Sequence, residues 1–245
     1  MFEHNPVLAA MDPRSLEPLY DRAVRRKLRR GQFLFLGGET ASAPCLVEEG
    51  VLRLEVPGPE DPTLIGIATE SDLIGEIEAL DGSQHLCDAL CVTEVTVAQL
   101  DVDIFRRALN NNPTACLELA RVHAERTSSA RRTLAETLTS DCKQRVVGRI
   151  LDLADQVGRR SGDHVLLEMP VDQKVLGTAA GASREETCRA LSQLRRLGWL
   201  DYKGRSMRLL RPDLLEKLRC AGRASELSRS ADVATRRRSR STLGT

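Results

Sequence analysis

The chain runs to 245 residues, 41% hydrophobic but only 3% aromatic, enough for two domains with cores of Leu, Val, Ile and Ala. Its formal net charge of +1 hides an asymmetry. Residues 1–112 hold 10 Lys/Arg against 19 Asp/Glu, a net of −9, whereas residues 141–211 hold 14 against 9, a net of +5, so only the second half is expected to meet phosphate. The sequence shows no leader-like start, membrane-length apolar run, C-x-x-C pair, Ser-His-Asp order or metal-spaced His cluster. A cytoplasmic, non-enzymatic, metal-free protein with reduced thiols is therefore expected.

Asp12-Pro13 opens a short helix carrying Leu16, Leu19 and Tyr20, with proline at the first helical position. Arg25–Arg30 reads as a solvated basic surface. From Gly31 the pattern changes to short β-rich segments, with strands expected over Gln32–Leu36, Pro44–Val47, Val51–Val56, Leu64–Ala68 and Val92–Leu100. Glycines at 37, 38, 50, 58, 66, 75 and 82 mark the turns. Such spacing suits an antiparallel sandwich, roll or barrel. Cys87 and Cys91 lie four apart in extended sequence and share a face, too far apart for an undistorted disulfide. Cys45, Cys91 and Cys116 are expected as buried apolar thiols.

Asn110–Asn112 and Pro113 signal a helix start. Thr114–Leu138 then runs 25 residues without Pro or Gly. Leu117, Ala120, Ala124, Thr127, Arg131, Leu134 and Leu138 recur three and four apart, as on a coiled-coil seam. Asp141–Arg160 continues helical, with Val146, Val147, Ile150, Leu151, Leu153 and Ala154 facing a core, and Val165–Met169 reads as a strand.

Val171–Leu200 carries the most specific signal. Asp172 caps a short helix with Val175, Leu176 and Ala179 inward, and Gly181 permits a left-handed turn. Ser183 with Glu186 forms an S-x-x-E capping box, and Leu191, Leu194 and Leu197 give the second helix its apolar face before Gly198 ends it. This is a helix-turn-helix signature. Arg184, Glu185 and Arg189 project from the first two turns of the second helix, where such motifs reach base edges. Arg suits the two acceptors of guanine, and Glu the cytosine amino group. Trp199–Tyr202, Lys203-Gly204-Arg205 and Ser206–Leu210 read as a β-hairpin whose Lys203 and Arg205 can touch phosphate. Leu214–Leu218 suggests a short helix. Ser228–Thr245, with Arg236–Arg238 and Arg240, reads as part of a disordered basic tail.

The run S-R-E-E-T-C-R resembles the recognition helix of the CRP/FNR family of bacterial transcription regulators. G-Q-F-L-F, E-E-G-V-L-R-L and D-L-I-G-E-I resemble that family's cyclic-nucleotide-binding β-roll. The resemblance covers about residues 15–212. It implies an α+β chain: an N-terminal antiparallel β-roll or jelly-roll sensor (1–112), a long dimerisation helix (113–140), a winged helix-turn-helix (141–218) and a basic tail (219–245). It implies a homodimer reading a palindromic, TGTGA-like operator in double-stranded DNA, with RNA polymerase as a candidate partner. Arg184, Glu185 and Arg189 would read bases, while Gln173, Ser183, Lys203 and Arg205 would serve the DNA contact around them. In the roll, Gly75 and Glu76 match the pair that receives the cyclic phosphate and ribose hydroxyl, but the Arg-Ser pair expected about ten residues on is replaced by Gln84-His85-Leu86-Cys87-Asp88. No Arg or Lys occurs between Arg53 and Arg106. Without that cation, and with His85 only partly protonated at neutral pH, weak or absent cyclic AMP binding is expected, and no cofactor is certain. No cysteine precedes Cys45, which argues against an iron–sulfur cluster of the FNR kind. Cys188 on the second helix and Cys142 are candidate redox thiols. The alternative is a small-molecule sensor with a vestigial DNA domain.

Overall fold

The structure, a computed structural model, describes residues 2–58, 61–168 and 172–221. The chain divides into two compact units, Met1–Ala130 and Arg131–Thr245. The first contains helices α1 (Pro6–Ala9) and α2 (Pro13–Arg22), strands β1 (Val24–Leu28), β2 (Cys45–Glu49), β3 (Leu52–Val56), β4 (Thr63–Ala68) and β5 (Leu73–Ile74), and helix α3 (Glu76–Asp81). Strands β6 (Asp88–Cys91) and β7 (Val95–Gln99), helix α4 (Val102–Asn111) and most of helix α5 (Pro113–Thr139) complete it.

Two antiparallel sheets, ordered β1-β7-β2-β5 and β4-β3-β6, enclose one core. Strand alternation explains how the first sheet is buried on both faces. In β2, Cys45 and Val47 join Leu52, Ala89, Cys91, Val95 and Val97 between the sheets, whereas Leu46 joins Leu8, Leu19, Leu100 and Phe105 beneath the helices. Asn112 ties that helical layer together. Its Oδ1 accepts from the Asp12 amide at 2.8 Å, and its Nδ2 donates to Ser15 Oγ and to the Ala108 carbonyl. As expected, Asp12 caps α2 with Pro13 in its first turn.

Several expectations are corrected in this unit. Gln32–Leu36 forms no regular strand: it makes an isolated bridge, Phe33 to Leu90, and irregular backbone hydrogen bonds to 89–91, such as Leu34 N–H to the Ala89 carbonyl at 2.8 Å. The basic run is indeed solvent-facing, but its first residues form edge strand β1, paired with β7, and charged side chains there blunt an open sheet edge. Gly66 lies within β4 rather than in a turn, opposite a register shift at Leu54/Glu55. Strand β6 and helix α4 were not read from sequence. Cys45, Cys87 and Cys91 are buried, but Cys116 is exposed, its thiol donating to the Leu109 carbonyl at 3.2 Å.

The second unit holds the end of α5, helix α6 (Cys142–Val157), strands β8 (Arg159–Ser161) and β9 (His164–Glu168), helices α7 (Gln173–Ala179) and α8 (Arg184–Arg196), and strands β10 (Leu200–Lys203) and β11 (Ser206–Leu209). A last helix, α9, covers 212–221. The four strands form one antiparallel sheet, ordered β10-β11-β9-β8. Asp141 caps α6 in a full capping box with Gln144. Val146, Val147, Ile150 and Leu153 of α6 are buried, α7 and α8 both pack against that helix, and Leu176, Leu191 and Leu194 are fully buried. Residue 219 does not open a tail. Arg219 is buried in α9, and the remainder of the expected tail, 222–245, lies outside the described residues.

Candidate nucleic-acid interface and candidate ligand pocket

The α7–α8 pair is built as its sequence demands. The Asp172 carboxylate accepts from the Lys174 and Val175 amides, both at 2.9 Å. Gly181 turns the chain at φ +57, a left-handed conformation that side chains with a Cβ resist. Ser183 and Glu186 exchange both bonds of the capping box. Glu186 Oε2 lies 2.8 Å from the Ser183 amide, and the Glu186 amide donates to Ser183 Oγ at 3.2 Å. Hydrogen bonds from the Ser183 amide and hydroxyl hold the Glu186 carboxyl below its ordinary range. The Ser183 hydroxyl is therefore committed to the cap.

Arg184, Glu185 and Arg189 are exposed on the first turns of α8, while Thr187 and Ala190 point inward, so one face of the helix offers charge to solvent and the other packs. Leu197, the C-cap residue of α8, is exposed rather than part of the apolar face. The Gln173 Oε1 accepts from the Cys188 thiol at 3.3 Å, which brings two of the sequence candidates together. Lys203 and Arg205 are exposed at the tip of the β10–β11 hairpin, where Lys203 pairs with Ser206 across a two-residue turn. Arg195 fixes this hairpin to α8. It pairs with Asp201 at 2.9 Å and its guanidinium sits 5.4 Å from the Tyr202 ring centre. Helix α8 and the β10–β11 hairpin thus present Arg184, Glu185, Arg189, Lys203 and Arg205 as exposed groups of one unit. Cys142 sits at the start of α6, in the electrostatic reach of Glu186, Arg145 and Arg189. Burial first, then Glu186, pushes its thiol up, which favours the unreactive protonated form. That weighs against Cys142 as a redox thiol.

In the β-roll, Gly75 opens α3 at φ +68. A Cβ there would lie 3.0 Å from His85 Cε1, because the His85 ring crosses the glycine and stacks on Phe35 with ring centres 3.7 Å apart. Burial lowers the pKa of His85, against weaker opposing effects from Glu78 and Glu39, so the ring is held neutral. Glu76 is buried and already paired. Arg126 of α5 donates from Nη1 to its Oε1 at 2.7 Å and from Nη2 to the Leu73 carbonyl, and His123 Nε2 lies 3.0 Å from the same carboxylate oxygen. Cys87 is buried, and desolvation, then Glu78 and Asp88, pushes its thiol up to about 11. The Asp88 carboxylate accepts from the Gly37 amide at 2.7 Å. Gly75, Glu76 and His85 therefore come together at the start of α3, but the carboxylate there is engaged from α5 and the imidazole that crosses Gly75 is uncharged. Sequence reading missed Arg126 and His123, since nothing local in a long helix shows which residues turn toward a carboxylate 50 positions away. Among the described residues no cluster of three metal-binding side chains occurs, and no helix is long and apolar enough to cross a membrane.

Residues 25–112 match the family model of the cyclic nucleotide-binding domain, and residues 144–218 that of the Crp-like helix-turn-helix domain. A CRP-like cAMP-activated global transcriptional regulator of Mycobacterium tuberculosis is 25% identical over 202 residues, covering 82% of this chain and 90% of that protein. The transcriptional activator protein FnrA of Stutzerimonas stutzeri is 20% identical over 203 residues, covering 82% of this chain and 83% of that one. Among solved structures, FixK2 from Bradyrhizobium japonicum shares the fold with a TM-score of 0.70 at 19% identity, over 80% of this chain and 96% of that one. A CRP-family transcriptional regulator from Thermus thermophilus superposes with a TM-score of 0.65 at 25% identity, over 79% of this chain and 96% of its own.

Proposed function

Because the chain belongs to the CRP/FNR family of transcription regulators, we propose that it reads a palindromic, TGTGA-like operator as a homodimer. The observation that carries this reading is the exposed Arg184–Glu185–Arg189 face on a helix whose start is locked by a complete capping box. In the reading, those three side chains meet base edges in the major groove, while Gln173, Lys203 and Arg205 hold the phosphate backbone and set register. Leu117, Leu134 and Leu138, 70%, 61% and 76% exposed along α5, supply the apolar seam for a second copy. The DNA-bound dimer would act on RNA polymerase in the cytoplasm.

The relative in Mycobacterium tuberculosis is cAMP-activated by name; here the reading departs from it. A cyclic phosphate brought to the start of α3 would meet a neutral, stacked His85, and the guanidinium that reaches this place, Arg126, is engaged by Glu76 and the Leu73 carbonyl. Desolvating a phosphate anion where the cation at hand is already neutralised by Glu76 costs several kcal/mol, so DNA binding is proposed to be independent of cyclic AMP. A thiol signal is proposed at Cys188, where modification would break the contact with Gln173.

The test is a gel shift of the full chain on a TGTGA-like palindrome and on a scrambled duplex, with and without cyclic AMP and a thiol oxidant. Selective retardation of the palindrome, unchanged by cyclic AMP and weakened by oxidant in a Cys188-dependent manner, is the expected result. Equal retardation of both duplexes would refute sequence reading, and a shift that requires cyclic AMP would refute the pocket argument.

A further inference from the structure

Arg145, in the first turns of α6, makes three hydrogen bonds, all to backbone carbonyls in two separate places. Its Nη1 donates to Ser140 at 2.8 Å, in the corner between α5 and α6. Its Nε donates to Ala180 at 2.7 Å and its Nη2 to Gly181 at 2.9 Å, both in the turn between α7 and α8. The guanidinium fork suits such a bridge, because its donors are fixed in one plane and cannot adjust independently. The two ends it joins are otherwise weak points. Ala180 and Gly181 lie at the end of a seven-residue helix, whose last carbonyls lack helical partners, and Gly181 adopts a left-handed conformation. Ser140 lies between two helices and is itself buried.

The corner end of the bridge is fixed one turn earlier. Glu136 of α5 is 3% exposed, and its two carboxylate oxygens accept from Arg219 Nε at 2.8 Å and Arg149 Nη2 at 2.5 Å. The end of α5 is thereby anchored to α6 and α9. Arg145 carries that anchored position across to the turn from which Ser183 and Arg184 start the second helix.

We propose that Arg145 is a positioning residue for DNA recognition: without touching DNA, it fixes the angle at which the end of the α5 helix delivers α8 to the groove. The inference rests on the reading of α8 as the base-contacting helix and of α5 as the helix shared by two copies. In a dimer bound to two half-sites, angular play at this corner becomes play in half-site spacing.

The test compares the full chain with its Arg145→Gln and Arg145→Lys variants in two ways. Selection from duplexes of varied half-site spacing should give one spacing for the natural chain. For Arg145→Gln it should give several neighbouring spacings and roughly tenfold less preference for the operator over random DNA, about 1.4 kcal/mol. The slope of affinity against salt should stay unchanged, since no phosphate contact is lost. Arg145→Lys, with one ammonium in place of a fork, should fall between. Amide hydrogen exchange without DNA should speed up across 178–186 in Arg145→Gln while 146–153 stays protected. A salt slope lowered by about one would make Arg145 a phosphate contact and overturn the proposal, as would unaltered spacing preference. If the natural chain selects no operator at all, it is the DNA-reading assignment that fails. Exchange across 178–186 then decides the positioning role by itself, and unchanged rates there overturn it.

Discussion

Replacing Arg219 by alanine should destabilise the second unit by about 2–3 kcal/mol, although the residue lies where the sequence looks like the start of a tail. Arg219 is 6% exposed and donates at 2.8 Å to Glu136 and at 2.8 Å to Asp152. Each charge-assisted bond is worth about 1.5–3 kcal/mol when its partner is left behind. The full cost of orphaning a buried charge, about 3–5 kcal/mol, is not reached, because Arg149 remains on Glu136 at 2.5 Å and on Asp152 at 3.0 Å. Relief elsewhere is limited, because the Glu136 carboxylate packs closely on Gly148, where a Cβ would lie 2.9 Å from Oε2. At about 4–8 °C per kcal/mol for a unit of this size, the melting transition should fall by roughly 10–20 °C. Thermal and urea melts followed by circular dichroism, with the Glu136→Gln variant completing a double-mutant cycle, measure both the loss and a coupling of about 1–2 kcal/mol. An Arg219→Ala protein within about 0.5 kcal/mol of the natural chain, or a coupling near zero, would show that α9 does not clamp α5 and α6.

The same network gives an acid limb to stability. Burial opposes ionisation of Glu136, but the hydrogen bonds and charges of Arg219 and Arg149 outweigh it and hold the carboxyl below the usual range. Its folded-state pKa is thus depressed, so its contribution is present above the unfolded carboxylate pKa and is lost as pH falls through the folded one. Stability of the natural chain should therefore decline below about pH 4, and Glu136→Gln should flatten that decline in melts taken between about pH 3 and 7. Arg184→Ala should cost about 1–3 kcal/mol at one base position and relax specificity there; a uniform loss on operator and random duplexes in a fluorescence anisotropy titration would refute a base contact. Gly75→Ala should cost about 1–3 kcal/mol, because it places a Cβ at positive φ and 3.0 Å from His85, displacing the ring from Phe35. A melt unchanged by that substitution would count against the stacked arrangement.

The residues proposed to carry DNA recognition were legible because their signals are local. A capping box needs only Ser183 and Glu186 three positions apart, the turn needs Gly181, and the exposed triad follows from a helical period with Leu191 and Leu194 inward. The strands of the first unit were legible in outline from β-rich segments spaced by glycine turns, which left sandwich, roll and barrel open. The edge strand β1 escaped because a charged strand at an open edge looks like any basic surface. What only the tertiary structure decided are the long-range pairings of charge. Arg126 reaches Glu76 across 50 positions, Arg145 reaches Ala180 across 35, and Arg219 reaches Glu136 across 83. In each, an arginine reaches a carboxylate or a carbonyl of another segment folded against it, a group that burial would otherwise leave without water. Periodicity and spacing describe a residue's neighbours along the chain; the cost of burying an unsatisfied charge depends on its neighbours in space.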